Sequence, residues 1–209
     1  PVILVNNLDP QRAAPDALFN LFSTCGIIAR IKILYNKRDS ALIQFEAPEH
    51  AEKARTSLSG CPLWGRPLII ATSKHLTVQA NRSDLEEEGA RLFGEYSSSP
   101  LHRYRGAGAR NVPSIEPSKL LHVSNLAGHL TEDDLSLLFA DHGPVTRIKF
   151  ISTREQSAGG PPSDRRMALV ELPTVQDAAE AIAAQHAKVV EGLRLRVSFS
   201  TSNLDSSRP

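Results

Sequence analysis

Apolar and polar positions along the chain fall into the same pattern twice. Ile3-Leu4-Val5-Asn6-Asn7-Leu8 returns as Leu121-His122-Val123-Ser124-Asn125-Leu126, and each copy leads into a polar break, an amphipathic stretch and a second apolar run. A repeat of this length is a whole domain, not a solenoid unit. In the first copy Leu18, Phe19, Leu21 and Phe22 keep helical spacing after Pro15, with Asp16 in the first turn and Gly26 past the end, which predicts a helix. Residues 27–35 alternate apolar with basic side chains and predict a strand, 36–40 read as a basic turn, and 41–45 as a third strand. Ala51, Ala54 and Leu58 share one stripe of a helix over 48–58, closed by Ser59-Gly60, and 68–72 predict a fourth strand. The second copy predicts strands at 120–125, 145–152, 167–172 and 193–200 and helices at 132–140 and 175–185. There Thr131, with Asp134 three residues on, reads as a capping box. Residues 153–164, with Gly159-Gly160-Pro161-Pro162, predict a long mobile loop.

Strand, helix, strand, strand, helix, strand is an α+β order: a ferredoxin-like βαββαβ domain whose helices cover one sheet face and leave the other open. The chain divides into one such domain at 1–79, an interdomain linker at 80–117, a second domain at 118–202 and a tail at 203–209. The linker is polar overall, yet Leu92, Phe93, Tyr96, Leu101, Tyr104, Val112 and Ile115 are too apolar for a free spacer. Part of it is expected to pack against the domains.

Composition adds bounds. The 209 residues are 41% hydrophobic and 22% charged, as in ordinary soluble domains, and two domains of about 80 residues suit that length. No apolar run reaches the ~20 residues that span a bilayer, and nothing at the start reads as a signal peptide, so no membrane association is expected. Pro1 in place of Met implies an excised or processed chain. Cys25 and Cys61 lack partners at ligand spacing, which predicts inert thiols, no metal and no cofactor. The net charge of +1 hides basic clusters at Arg30, Lys32, Lys37 and Arg38 and at Arg147, Lys149, Arg165 and Arg166. Without a nucleophile elbow, phosphate loop or metal-ligand spacing, the chain does not read as an enzyme.

Strand parity points to a binding face. It puts Ile3, Val5, Ala41, Ile43 and Phe45 under the helices and turns Leu4, Asn6, Lys32, Leu34, Ser40, Leu42 and Gln44 outward. A flat open sheet suits unstacked single-stranded RNA, whose bases are read at their edges. Leu4, Leu34 and Leu42 would supply apolar contact, Lys32 and Lys37 would meet phosphate, and Asn6, Ser40 and Gln44 would hydrogen-bond bases. Tyr35 would stack at the strand end, and Lys74 and His75 would extend the surface. In the second domain the same parity presents His122, Ser124, Lys149, Ile151, Met167 and Leu169, with Arg196, Ser198 and Ser200 from the last strand. An alternative for the leucines is an aliphatic face covered by a terminal segment.

The open sheet, the aliphatic-Val-x-Asn-Leu first strand and the basic turn before the third strand resemble the RNA recognition motif. The third strands depart from that family's aromatic pattern. They read Arg38-Asp39-Ser40-Ala41-Leu42-Ile43-Gln44-Phe45 and Arg165-Arg166-Met167-Ala168-Leu169-Val170-Glu171-Leu172. With Leu4 and His122 on the first strands, and with Lys32-Ile33-Leu34-Tyr35-Asn36-Lys37, Ser73-Lys74-His75 and Ser99-Pro100-Leu101-His102-Arg103, the pair resembles the third and fourth domains of the polypyrimidine tract-binding protein family. The resemblance implies a fifth strand in the first domain, near Thr77 to Gln79, and domains packed back to back through their helical faces. It also implies binding of pyrimidine-rich single-stranded RNA, roles in pre-mRNA splicing and in mRNA processing, stability or translation, a nuclear location with shuttling to the cytoplasm, and a monomer. The competing expectation is a degenerate pair acting as a protein-interaction module of a ribonucleoprotein complex, with partners on the helical faces. Arg66-Pro67-Leu68 lacks the loop aromatic that peptide-binding relatives carry.

Overall fold

A computed structural model describes residues 1–80, 91–104, 116–151 and 165–200. The chain separates into two compact units, residues 1–117 and 118–209. The predicted loop at 153–164, the tail at 203–209 and the linker residues 81–90 and 105–115 lie outside the described residues.

The first unit runs β1 (Val2–Asn6), α1 (Pro15–Phe22), β2 (Ile28–Leu34), β3 (Lys37–Phe45), α2 (Pro48–Leu58), a small hairpin of β4 (Pro62–Leu63) and β5 (Arg66–Pro67), β6 (Ile69–Thr72) and β7 (Phe93–Glu95). Its sheet has the order β6-β1-β3-β2-β7. Ile3, Val5, Ile31, Ile33, Ala41, Ile43 and Phe45 point to the helical side and are buried there with Leu18, Phe19, Phe22, Ala54 and Leu58. The second unit runs β8 (Leu120–Ala127), α3 (Glu132–Phe139) with a 3-10 turn (Ala140–His142), β9 (Arg147–Ile151), β10 (Arg165–Glu171), α4 (Val175–Gln185), a hairpin of β11 (Val189–Val190) and β12 (Leu193–Arg194), and β13 (Arg196–Phe199), in the sheet order β13-β8-β10-β9. Both of its helices start at capping boxes: Thr131 with Asp134 and Thr174 with Asp177. Each box satisfies amide donors that a helix start leaves open.

The repeated Asn-Leu has a structural cause. Asn7 follows the last residue of β1 and Asn125 lies inside β8 near the register shift opposite β10, with φ of 68° and 64°, a left-handed conformation that asparagine tolerates better than most residues. Asn7 Nδ2 donates to the Pro67 carbonyl at 2.8 Å, and Asn125 Nδ2 to the Arg194 carbonyl at 2.7 Å. Asn7 thereby ties the end of β1 to the hairpin that precedes β6, and Asn125 ties β8 to the hairpin that precedes β13. Those hairpins turn at Trp64-Gly65 and Glu191-Gly192, all four with positive φ, the mirror-image turn that matches strand twist.

Three expectations need correction. The basic turn assigned to 36–40 belongs mostly to β3, which begins at Lys37, because β2 and β3 close tightly and Leu34 pairs Lys37. Sequence reasoning saw the charges and missed that the ladder runs through them. The fifth strand is Phe93–Glu95, not Thr77 to Gln79: it pairs antiparallel with β2, Arg30 opposite Glu95 and Lys32 opposite Phe93. Residues 77–79 cannot line that edge, because they cross the sheet face instead. Val78 N–H donates to Gln44 Oε1 at 2.7 Å, and the Val78 carbonyl accepts from Arg30 Nη1 at 3.2 Å. Lastly, Leu42 and Ser40 point outward as parity requires, yet both are buried, Leu42 beneath this crossing segment.

Part of the linker packs on the first unit. Tyr96 stacks on Phe19 with ring centroids 4.4 Å apart, and its hydroxyl donates to Asp16 Oδ1 at 2.7 Å. His102 meets the edge of Phe19 at 5.1 Å while its Nε2 donates to the Tyr96 carbonyl at 2.9 Å, and Arg103 Nη1 donates to Ser23 Oγ. Cys25 and Cys61 are free and buried, and burial pushes their thiols up to about 11 and about 12, so both stay protonated and unreactive at neutral pH.

Candidate nucleic-acid interface

The sheet faces away from the helices present matched rows in the two units. In the first, Ala71, Leu4, Leu42, Lys32 and Phe93 lie side by side across five strands. In the second, Ser198, His122, Leu169 and Lys149 do the same. One strand step away, Val2, Gln44, Arg30 and Glu95 form the next row, matched by Leu120, Glu171 and Arg147.

The first face is partly roofed. Val78, 1% exposed, packs with Val2 and Leu42 into an apolar cluster bordered by Leu4, Leu34 and Phe93. Beside it opens a groove of about 540 Å³ lined by Lys32, Leu34 and Leu42 from the sheet and by Lys74, His75 and Gln79 from the crossing segment. Lys32 Nζ donates to the Gln79 carbonyl at 3.4 Å, which holds the segment against the sheet. The residues named for this unit divide accordingly. Lys32, Leu34, Lys74 and His75 meet in the groove, while Leu42 forms its floor. Gln44 is engaged with Val78. Asn6, Ser40 and Lys37 form a separate polar set at the hairpin end, where Tyr35 stands 53% exposed with the Arg38 guanidinium 5.0 Å from its ring.

On the second face His122 is half-buried between Leu169 and Ser198, and burial lowers its imidazole below the ordinary histidine value, so the ring is neutral at pH 7. Ser124 pairs Arg196, Met167 pairs Ile151, and Lys149 is exposed. Ser200 is buried at the sheet end, where its carbonyl accepts from Ser118 Oγ at 3.0 Å.

Sequence reasoning missed Val78, Phe93 and the cluster around Glu171. Arg30, Arg147 and Glu171 carried the parity of the named residues, which could have found them; nothing in the polar stretch around Val78 marked it. Glu171 Oε2 accepts from Arg147 Nε at 2.8 Å and Oε1 from Lys119 Nζ at 2.9 Å, and these cations hold its carboxyl down at about 2 against an ordinary 4.5. A carboxylate depressed by folding stabilises the native state above its unfolded value and loses that contribution as pH falls toward the folded one. The second unit is therefore expected to lose stability between pH 4.5 and about 2, and Glu171→Gln to flatten that loss in urea melts recorded across the window. An unchanged slope would rule out the cluster as its source.

A family model described as "RNA recognition motif (a.k.a. RRM, RBD, or RNP domain)" matches residues 1–99, and one described as "RNA recognition motif" matches residues 121–196. The chain belongs to the RNA recognition motif family. It is 33% identical over 199 residues to polypyrimidine tract-binding protein homolog 3 of Arabidopsis thaliana, an alignment covering 95% of this chain and 42% of that protein. The chain thus spans less than half the length of that relative. Among solved structures it is similar to the Sxl-lethal protein/RNA complex, with 19% identity, 95% of this chain and 98% of that chain covered and a TM-score of 0.33. It is also similar to the third RNA recognition motif domain of Hrb1, with 28% identity, 40% and 78% covered and a TM-score of 0.33. RNA recognition motifs are RNA-binding, non-catalytic domains that stack bases on aromatics of the two central strands. This member carries Leu4 and Leu42 at one pair of central-strand positions and His122 and Leu169 at the other. Among the described residues no group of His, Cys, Asp or Glu is placed to hold a metal, and no helix is long and apolar enough to cross a membrane.

Proposed function

We propose that both units bind single-stranded, pyrimidine-rich RNA, and that the chain acts in nuclear pre-mRNA splicing and in mRNA processing, stability or translation. The observation that carries this reading is the sheet face away from the helices in each unit, where Lys32 beside Leu4 and Leu42, and Lys149 beside His122 and Leu169, stand in place of the stacking aromatics. The name of the Arabidopsis relative supports pyrimidine tracts. Lacking most of the ~1 to 3 kcal/mol that each base gains by stacking on an aromatic, a single unit binds modestly. Two linked units recover affinity when one RNA reaches both, through effective concentration.

A second reading, a protein-interaction surface on the helical side, is favoured by Leu137, which stands 79% exposed on α3. Binding of short pyrimidine and purine RNAs, measured by fluorescence anisotropy at two salt concentrations, separates the two. RNA binding predicts tighter pyrimidine complexes at both salts. Equal binding to all RNAs that vanishes with salt would reduce the interaction to phosphate contact, and no binding by folded protein would leave the protein-interaction reading.

A further inference from the structure

We infer that Asn6 makes the first unit select uracil over cytosine at the base it meets. The inference rests on the RNA-binding reading above and adds a specificity to it. Asn6 stands half-buried on the open face at the end of β1, opposite the exposed Ile69. Its Oδ1 accepts from Lys37 Nζ at 3.2 Å and lies 2.9 Å from Ser40 Oγ. The two ends of an amide are hard to tell apart by shape, but an ammonium group has donors only, so the atom facing Lys37 has to be the oxygen.

The consequence is a one-sided polar surface. With Oδ1 turned to Lys37 and Ser40, the part of Asn6 left to meet a base is its two Nδ2 protons, and among the described residues no acceptor takes them. Lys37 adds further donors. The single Ser40 proton is shared between Asn6 Oδ1 and Asp39 Oδ1 at 3.0 Å. Uracil presents a carbonyl acceptor at its 4-position, and cytosine presents an amino donor there. Uracil O4 meets the Asn6 amide as acceptor to donor. A cytosine in the same place sets donor against donor, and both groups are left unsatisfied.

The second unit supplies an internal contrast. Ser124 precedes Asn125 as Asn6 precedes Asn7, and it pairs Arg196 where Asn6 pairs Ile69. A serine hydroxyl donates or accepts as its partner requires, so this position accommodates either pyrimidine. At this position, discrimination between the two pyrimidines therefore belongs to the first unit.

The test measures dissociation constants of the whole chain for oligouridine and oligocytidine of equal length, for the wild type, Asn6→Ser and Asn6→Asp. Wild type is expected to bind oligouridine at least about fivefold more tightly. Asn6→Ser, which copies the arrangement the second unit already tolerates, is expected to bring the ratio toward one, and Asn6→Asp to reverse it by placing an acceptor against the cytosine amino group. In wild type the Asn6 side-chain amide resonances are expected to shift with oligouridine and stay in place with oligocytidine. A wild-type ratio of one or below, or a ratio unmoved in both variants, overturns the assignment while leaving RNA binding intact. Failure of the folded protein to bind any RNA overturns the RNA-binding reading and this assignment together.

Discussion

Phe19→Ala is expected to destabilise the first unit by about 3 to 5 kcal/mol, the usual cost of truncating a buried phenylalanine. Phe19 is fully enclosed, and it also forms the floor on which the linker lies: Tyr96 stacks on it and His102 abuts its edge. Stacked aromatic pairs add about 0.5 to 1.5 kcal/mol beyond the area they bury, so the loss is felt on both sides of the contact. Segment 91–104 should then be cleaved faster by protease, with the denaturation midpoint lowered. Tyr96→Phe separates the two contributions, since it keeps the stack and removes only the bond to Asp16. A stability loss below about 1 kcal/mol for Phe19→Ala, or unchanged cleavage, would show that the linker is held by other contacts.

His122→Ala is expected to weaken binding of pyrimidine RNA by roughly tenfold, the low-to-middle part of the range for losing one ring that carries a base. The ring sits at the centre of the second face, with Leu169, Ser198 and, beyond Leu169, Lys149 in the same row. Being half-buried and on the face opposite the helices, it can be truncated with a stability change under about 1 kcal/mol. Leu42→Ala makes the contrasting case. Leu42 is 9% exposed because Val78 lies on it, so truncation there is expected to cost stability as well as affinity. Normal affinity in folded His122→Ala would move the binding surface away from this row.

The repeat, the α+β order and the inward half of each strand were legible because side-chain period and turn residues report local geometry. Helices α2 and α4 fall where the apolar stripe put them, and the Thr131 capping box forms as its spacing implied. The crossing segment was not legible. Its attachment depends on one valine in a polar stretch, on the side-chain oxygen of Gln44 and on the guanidinium of Arg30, partners 34 and 48 residues away. Periodicity cannot report a contact made by an irregular segment. The fifth strand was misplaced for the same reason: Phe93 and Tyr96 signalled packing, but only the edge of β2 decides where Phe93–Glu95 pairs. The candidate site was thus half readable. The residues on regular strands could be named from parity, whereas the roof over Leu42 and the fixed direction of the Asn6 amide required coordinates.

The asparagine after β1 and its counterpart within β8 bear on how each unit folds. Asn7 is tied to Pro67 and Asn125 to Arg194, contacts 60 and 69 residues apart, and β1 sits between β3 and β6 in its sheet. Within the first unit, the strand made first is thus an interior strand that waits for one made much later. Non-local closure of this kind slows folding. On the ribosome, Ile3 and Val5 stay without their full complement of neighbours until β6 has emerged. A pause in translation within the first unit would lengthen the time its most aliphatic strand spends unpaired.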